Sequence, residues 1–316
     1  MFKLLPKISP EQLAHFKHIP DYEYVLSYYV QSKLGRKKPI LGAMKLTRNC
    51  NLECAHCPFC QKNGNGLTYA KALNCMKTLY KWGVRILILE GGEPFLWHDD
   101  DHDLRKLVQE ARKLFFSVGI VTNGTFPIDV KTDVVWVSID GLRDTHNQLR
   151  GDSFDAALGN IEASEHPRIF AHVTINAANR QEIPELVKFL KDKVEGVTIQ
   201  FHYPYRHDAT DDRLRLPLEA RREVLDTLIS LKKQHLPVID SYACLEALKT
   251  NRWECHSWML ANVEPDGTMT KGCYAKNRGA VACENCGFAA HTELSLSYNG
   301  VIEAMLVGMK IFERTT

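Results

Sequence analysis

A chain of 316 residues, 45% hydrophobic and 25% charged, can bury one large α/β core with a small appendage and is ordinary for a globular protein. A net charge of +2 without a long Lys/Arg stripe excludes a nucleic-acid footprint, and with no eighteen-residue apolar run or signal-like N-terminus the expected location is the cytoplasm. In that reducing compartment ten clustered cysteines point to metal binding rather than to disulfides.

Residues 1–40 read as an N-terminal helical extension. Tyr22, Leu26, Tyr29, Val30 and Leu34 recur at helical spacing, Gly35 is placed to cap the helix, and Arg36-Lys37-Lys38 and Pro39 follow. Leu13, Phe16 and Ile19 give a shorter apolar face. These helices either pack on the main domain or, with their basic flank, make a peripheral membrane contact. From Leu41 onward, strand-length apolar runs alternate with helical patterns. The runs are Leu41–Leu46, Val84–Leu89, Ser117–Val121, Val134–Ile139, Ala171–Ile175 and Val197–Phe201. Helical patterns such as Ala70–Trp82, Asp103–Phe115, Asp155–Ser164 and Ile183–Asp192 lie between them. The alternation argues for repeated βα units on a buried parallel sheet, and six units fall short of the eight that close a full barrel. A charged helix over Pro217–Gln234 buries Leu218, Val224, Leu225, Leu228, Ile229 and Leu231, and ends the main domain near His235, giving domain bounds of 41–235 and 236–316.

The chemistry gathers in the segments that follow these strands, where parallel βα folds place their sites. After the first run comes Cys50-Asn-Leu-Glu-Cys54-Ala-His-Cys57, three thiols on a short loop. They suit three irons of a four-iron cluster with the fourth left open, and Cys60 would equally complete a four-thiolate zinc site. The second run ends in Glu90-Gly91-Gly92-Glu93-Pro94. Paired glycines let backbone carbonyls approach a ligand, so a side chain at Gly92 is expected to abolish ligand binding and leave the metal sites filled. Thr122-Asn123-Gly124-Thr125 and Ser138-Ile139-Asp140-Gly141 suit a ribose and an amino-acid head group, or serve only as caps and turns. Thr174, Asn176, His202 and Tyr203 end the last two runs, and His202 is given no role. Further on, Cys255, Cys273, Cys283 and Cys286 supply four thiolates, enough for one fully ligated iron–sulfur cluster or a zinc ribbon. Cys244 is a substitute ligand for that set, and Cys75 reads as a small buried hydrophobe.

The triplet after a first strand, followed by Gly91-Gly92-Glu93-Pro94 at the end of the second, resembles the radical S-adenosylmethionine (SAM) superfamily. The stretch from Ser138 through Arg150 to Phe154 resembles members with a C-terminal auxiliary-cluster (SPASM/twitch-like) domain. The resemblance implies a partial (β/α)6 TIM-like barrel with the N-terminal helical extension and a small C-terminal cysteine-rich domain. It implies a [4Fe-4S] cluster on Cys50, Cys54 and Cys57 that binds and reductively cleaves SAM. It further implies a second [4Fe-4S] cluster on Cys255, Cys273, Cys283 and Cys286, and a flavodoxin or ferredoxin-type reductant. Gly91, Gly92, Glu93, Pro94, Asn123, Ser138 and Arg150 are carried over as cofactor-binding residues, with no catalytic residue assigned. His56 replaces the aromatic residue usual before the third cysteine, and Cys60 is additional to the pattern.

Pieces around Val30–Ile40, Asp140–Arg143, Trp253–Cys255 and Gly272–Tyr274 resemble the hopanoid-biosynthesis branch of that family, whose chemistry adds the adenosyl radical to an alkene. With the amphipathic ends Tyr22–Leu34 and Val301, Ile302, Met305, Leu306 and Met309, this points to a largely apolar small molecule, an isoprenoid or hopanoid-like lipid or a tetrapyrrole. The reaction would be hydrogen abstraction, alkene addition or hydroxylation. A radical SAM peptide or protein maturase is the alternative within the family. A non-catalytic zinc-binding interaction module is the alternative outside it.

Overall fold

Six of the apolar runs form strands, each hydrogen-bonded in parallel to the one before it: β1 (Leu41–Lys45), β2 (Ile86–Glu90), β3 (Ser117–Thr122), β4 (Val134–Ser138), β5 (Ile169–Ile175) and β6 (Gly196–Phe201). The computed structural model describes residues 19–59, 64–203, 213–276 and 282–315. The Leu13 and Phe16 face and Cys60 lie outside the described residues. Helices follow five of these six strands, among them α2 (Tyr69–Trp82), α3 (Leu104–Leu114), α4 (Arg143–Arg150), α5 (Phe154–Ala163) and α6 (Ile183–Leu190), while β3 runs on to β4 through a connection without a helix. This is the mixed α/β, mostly parallel architecture of a partial TIM-like barrel.

Strand periodicity decides what faces where. Met44, Leu87, Leu89, Val118, Ile120, Val135, Val137, Val173 and Ile199 are buried under the helices, where each fully buried aliphatic side chain is worth about 1.5–3 kcal/mol. Cys75 belongs to this core, as the sequence indicates. Thr68 caps α2 by accepting from the Lys71 N–H, and Gly83 closes it in the left-handed region at φ +113°. The alternate residues Ile88, Val121, Val134, Trp136 and Phe170 form the opposite face.

Two further strands come from beyond His235. β7 (Leu260–Val263) pairs in parallel with the free edge of β1, and β8 (Met269–Lys271) pairs antiparallel with β7, so the sheet order is β8-β7-β1-β2-β3-β4-β5-β6. Residues 236–316, expected as a separate cysteine-rich domain, therefore share the main sheet and fall within one compact unit, Lys38–Thr316. Helix α7 (Leu218–Lys233) buries Val224, Leu225, Leu228, Ile229 and Leu231, and also Arg221. After it come α8 (Tyr242–Thr250), α9 (Ala289–Tyr298) and α10 (Ile302–Phe312). Helix α10 lays Val307, Ile311 and Phe312 against Trp136 and Phe170. It is tied where the strands begin, since Arg168 pairs with Glu313 at 3.2 Å and the Thr315 N–H donates to Asp133. This is the end away from the cysteines, so α10 closes the floor of the barrel and not a mouth beside the site.

The other unit, Met1–Lys37, contains α1 (Ile19–Lys33), with Gly35 at φ +89° just past its end. Leu26, Val30 and Leu34 are exposed. Among the described residues no helix is long and apolar enough to cross a membrane.

Candidate functional site

The cysteine loop is held by its neighbour strand. Beyond β1 and β2 the two chains keep pairing: Leu46 N–H donates to Glu90 O (2.8 Å), Gly92 N–H to Thr47 O (2.7 Å) and Glu93 N–H to Asn49 O (2.8 Å). The glycines make that approach possible. A Cβ on Gly91, which sits at φ +144°, would lie 2.6 Å from Thr47 O, and one on Gly92 would lie 2.1 Å from Asn49 O. The space a Cβ on Gly92 would need is filled by the backbone that carries the cysteines, so a side chain there is excluded by the protein itself, apart from any approach to a ligand.

Each sulfur of the triplet meets a nitrogen. Asn123 Nδ2 lies 3.9 Å from Cys50 Sγ, Arg150 Nη1 3.8 Å from Cys54 Sγ, and Phe59 N 3.4 Å from Cys57 Sγ. Burial pushes the Cys54 thiol up to about 12; Arg150 opposes this, while Cys57, Asp140 and Cys50 add to it. Such a thiol is protonated at neutral pH and becomes a thiolate only against a metal, and three mutually repelling sulfurs with N–H donors suit an iron–sulfur cluster, whose properties depend on such donors.

Asp140 stands behind the triplet. Its Oδ1 accepts from Thr174 N–H (2.7 Å), its Oδ2 from Arg150 Nε (2.6 Å), and His56 Nε2 is 3.5 Å away. Burial drives its pKa up, but Arg150, His56 and the Thr174 N–H outweigh it and hold the carboxyl below its usual range. Arg150 is raised despite burial, by Asp140 and Cys54. His56 is pushed down to about 4, chiefly by burial, and is neutral at pH 7. Among the described residues its buried Nδ1 has no hydrogen-bond partner, an orphaned polar atom on the cysteine loop that suits a bound cofactor or substrate.

The residues carried over as cofactor-binding thus divide. Gly91 and Gly92 hold the loop, while Asn123 and Arg150 reach the sulfurs. Glu93 turns inward, fully buried: Oε1 accepts from Thr122 Oγ1 (2.8 Å) and Phe95 N–H (3.1 Å), Oε2 from Asn123 N–H (2.8 Å). Burial raises it to about 7. It braces the end of β2 against that of β3, and Pro94 is buried beside it. Ser138 is buried at the end of β4. Asn176 is spent on a turn with Thr174 and Asn179.

Sequence reasoning missed the inner face of the sheet. Lys45 ends β1 nearly buried, 3.0 Å from Glu90 and 3.6 Å from Glu264, with the Phe59 and Tyr274 rings 5.7 and 5.3 Å away. A lysine closing an apolar strand directly before a cysteine loop was the available signal. His172 on β5 is lowered to about 4, chiefly by burial, and contacts Thr198 Oγ1 at 3.0 Å.

The C-terminal thiols come together at the end of β6. Burial raises Cys286 to about 11; the Phe288 N–H opposes this, and Cys255, Cys273 and Cys283 add to it, so the four sulfurs sense one another. Tyr203, Cys273, Ala275 and Phe288 pack together against Tyr274 and Cys286. Phe201 N–H donates to Gly287 O (2.9 Å), and a Cβ on Gly287 would lie 2.5 Å from Phe201 Cβ. Cys244, proposed as a substitute ligand, is engaged elsewhere: its Sγ donates to Ala289 O beside Asp240 and Glu293.

The family model described as "Radical SAM superfamily" matches residues 44–190. The chain is similar to a pre-heme d1 synthase of Dinoroseobacter shibae, 31% identical over 62% of this chain and 51% of that protein. An Fe-coproporphyrin III synthase of Methanosarcina barkeri is 30% identical over 61% and 51%. The sporulation killing factor maturation protein SkfB of Bacillus subtilis is 29% identical over 51% and 42%. The chain spans about half the length of these curated relatives. In fold it is similar to Streptococcus suis SuiB bound to precursor peptide SuiA, with a TM-score of 0.62 at 14% identity over 93% of this chain and 72% of that one. These relatives are named for heme, coproporphyrin and peptide-maturation roles, and not specifically for hopanoid synthesis.

Proposed function

We propose that this chain, which belongs to the radical SAM superfamily through residues 44–190, cleaves SAM reductively and acts on a tetrapyrrole-class substrate held over the strand ends. The observation that carries the reading is the three-thiol loop, locked by Gly91 and Gly92 and given one nitrogen per sulfur. Cys50, Cys54 and Cys57 would hold a [4Fe-4S] cluster, which with SAM bound would supply the electron for reductive cleavage of the sulfonium. Cys255, Cys273, Cys283 and Cys286 would hold a second such cluster.

The chain's own residues supply position and charge. Arg150, pinned by Asp140, keeps a cation beside Cys54, and Asn123 directs an N–H at Cys50 while Glu93 fixes the backbone beneath it. His56, uncharged at neutral pH, offers Nδ1 as a polar contact that takes no proton from its surroundings. The tetrapyrrole reading rests on the names of two relatives near 30% identity and on the inner face. Lys45, Glu90, Glu264 and Tyr274 mix ionic and aromatic groups, which suits a conjugated macrocycle with carboxylate arms better than a hydrocarbon lipid. A flavodoxin or ferredoxin-type protein is the expected reductant.

The test is 5′-deoxyadenosine formation by anaerobically reconstituted protein with isotopically labelled SAM. An iron-free or iron-loaded coproporphyrin, an organic-solvent extract of membranes and a peptide fraction are supplied in turn. Stimulation by the porphyrin, with labelled product in its mass spectrum, supports the reading. Stimulation by the lipid or peptide fraction alone overturns the substrate, and failure to cleave SAM with iron in place overturns the reaction.

A further inference from the structure

Arg221 is the one charged side chain on the buried face of α7, and it is 3% exposed. Its Nη1 donates to the backbone oxygens of Asn285 (2.9 Å) and Cys286 (3.3 Å), its Nη2 to that of His202 (3.5 Å), and its guanidinium lies 5.1 Å from the Phe201 ring centroid. Among the described residues its buried Nε has no hydrogen-bond partner, the acidic group that acts on it is the thiol of Cys286, and the other charge that acts on it is the cation of Arg215. A guanidinium does not shed its proton, and a buried charge without a counter-ion is strongly destabilising. Neutral carbonyls and a ring face soften that cost without cancelling it. The fold therefore calls for an anion where Arg221 meets the Cys283-Glu-Asn-Cys286 turn.

We infer that Arg221 is the built-in counter-ion of the metal–thiolate centre on Cys255, Cys273, Cys283 and Cys286, and that it raises that centre's reduction potential. This rests on the reading of those four thiols as an iron–sulfur site. Each one-electron reduction adds negative charge to such a centre, and a fixed neighbouring cation favours the reduced form. Arg221 is a positioning residue: it also ties the cysteine turn to the His202 carbonyl, so the charge and the turn keep a fixed relation to the end of β6.

The experiment uses the full chain carrying Cys50, Cys54 and Cys57→Ala, leaving the C-terminal centre as the one to load, and titrates it with dithionite under electron paramagnetic resonance. Each centre takes up one electron from the titrant. At the poise that half-reduces this parent, adding Arg221→Met is expected to keep the iron and lower the reduced-to-oxidised ratio at least tenfold, while Arg221→Lys stays within threefold. Full iron with an unchanged ratio in the Met variant overturns the inference, as does a Lys variant that shifts as far as Met. If the Met variant holds no iron, the Lys variant decides. Iron at the parent's ratio supports the counter-ion, and iron lost from both reduces Arg221 to a clamp and overturns it. Zinc in the parent instead strikes the reading of the four thiols, before Arg221 is touched.

Discussion

Replacing Gly92 by alanine tests how the site is held. The new Cβ would lie 2.1 Å from Asn49 O, 2.6 Å from Asn49 C and 2.8 Å from Arg48 C, all of them backbone atoms that cannot swing away. To reach an ordinary contact of about 3.4 Å, the loop must retreat by more than about 1 Å. That movement breaks the hydrogen bonds from Gly92 N–H to Thr47 O and from Glu93 N–H to Asn49 O. At about 0.5–1.5 kcal/mol each, with added strain of about 1–3 kcal/mol, the cost is about 2–6 kcal/mol. Cys50 follows Asn49 directly, so the displacement falls on the first thiol and on its contact with Asn123. The expected result is loss of about half the iron, all of it from the first site, with no SAM cleavage and a lowered Tm. Gly159→Ala is the control: it lies on α5 with nothing within 4 Å of its Cβ, and it should keep all the iron and gain about 0.5–1 kcal/mol. Iron analysis, electron paramagnetic resonance and thermal melts read the series. A folded Gly92→Ala protein with full iron and the parent's SAM affinity would falsify the account.

Cys50, Cys54 and Cys57→Ala together should abolish SAM cleavage and leave about half the iron, and cleavage surviving in that variant would mean that the first site is elsewhere. Glu93 has a folded pKa raised from 4.5 to about 7, so between those values the folded chain binds more protons than the unfolded one, and stability falls as pH rises from about 4.5 to 7. That penalty reaches about 3 kcal/mol above pH 7; Glu93→Gln should flatten this part of the stability profile, and a variant with the parent's slope would refute the assignment. Arg150→Met strips the buried Asp140 of its cation and should cost about 3–5 kcal/mol, and adding Asp140→Asn should recover part of it. Simple additivity in urea melts of that double-mutant cycle would show that the pair is not coupled.

How much the sequence could tell depended on which force set each element. The six barrel strands were legible because burial on both faces makes near-continuous apolar runs; observed ends such as Ile86–Glu90 differ from the expected Val84–Leu89 by a residue or two. The cysteine spacing was legible for the same reason as any local motif. What escaped depended on distant partners. Leu260-Ala-Asn-Val263 is too short to carry a period, and only the free edge of β1 makes it a strand. No spacing shows that Thr122 and Asn123 take the carboxylate oxygens of Glu93. Arg221 lay hidden in a helix whose charged residues otherwise face solvent. Lys45 looked like a strand terminus until Glu90 and Glu264 closed on it.

The placement of β1 between β2 and β7 also fixes an order of events during synthesis. The strand that leads into the cysteine loop emerges early and finds β2 within a few tens of residues, yet its second partner is made only after most of the chain, about two hundred residues later. Until then one side of β1 shows a row of unpaired N–H and C=O groups, a ready template for another strand. The nascent chain therefore carries an unpaired strand edge next to the three thiols of the cysteine loop. Release of a chain cut short before Leu260 would leave both exposed at once.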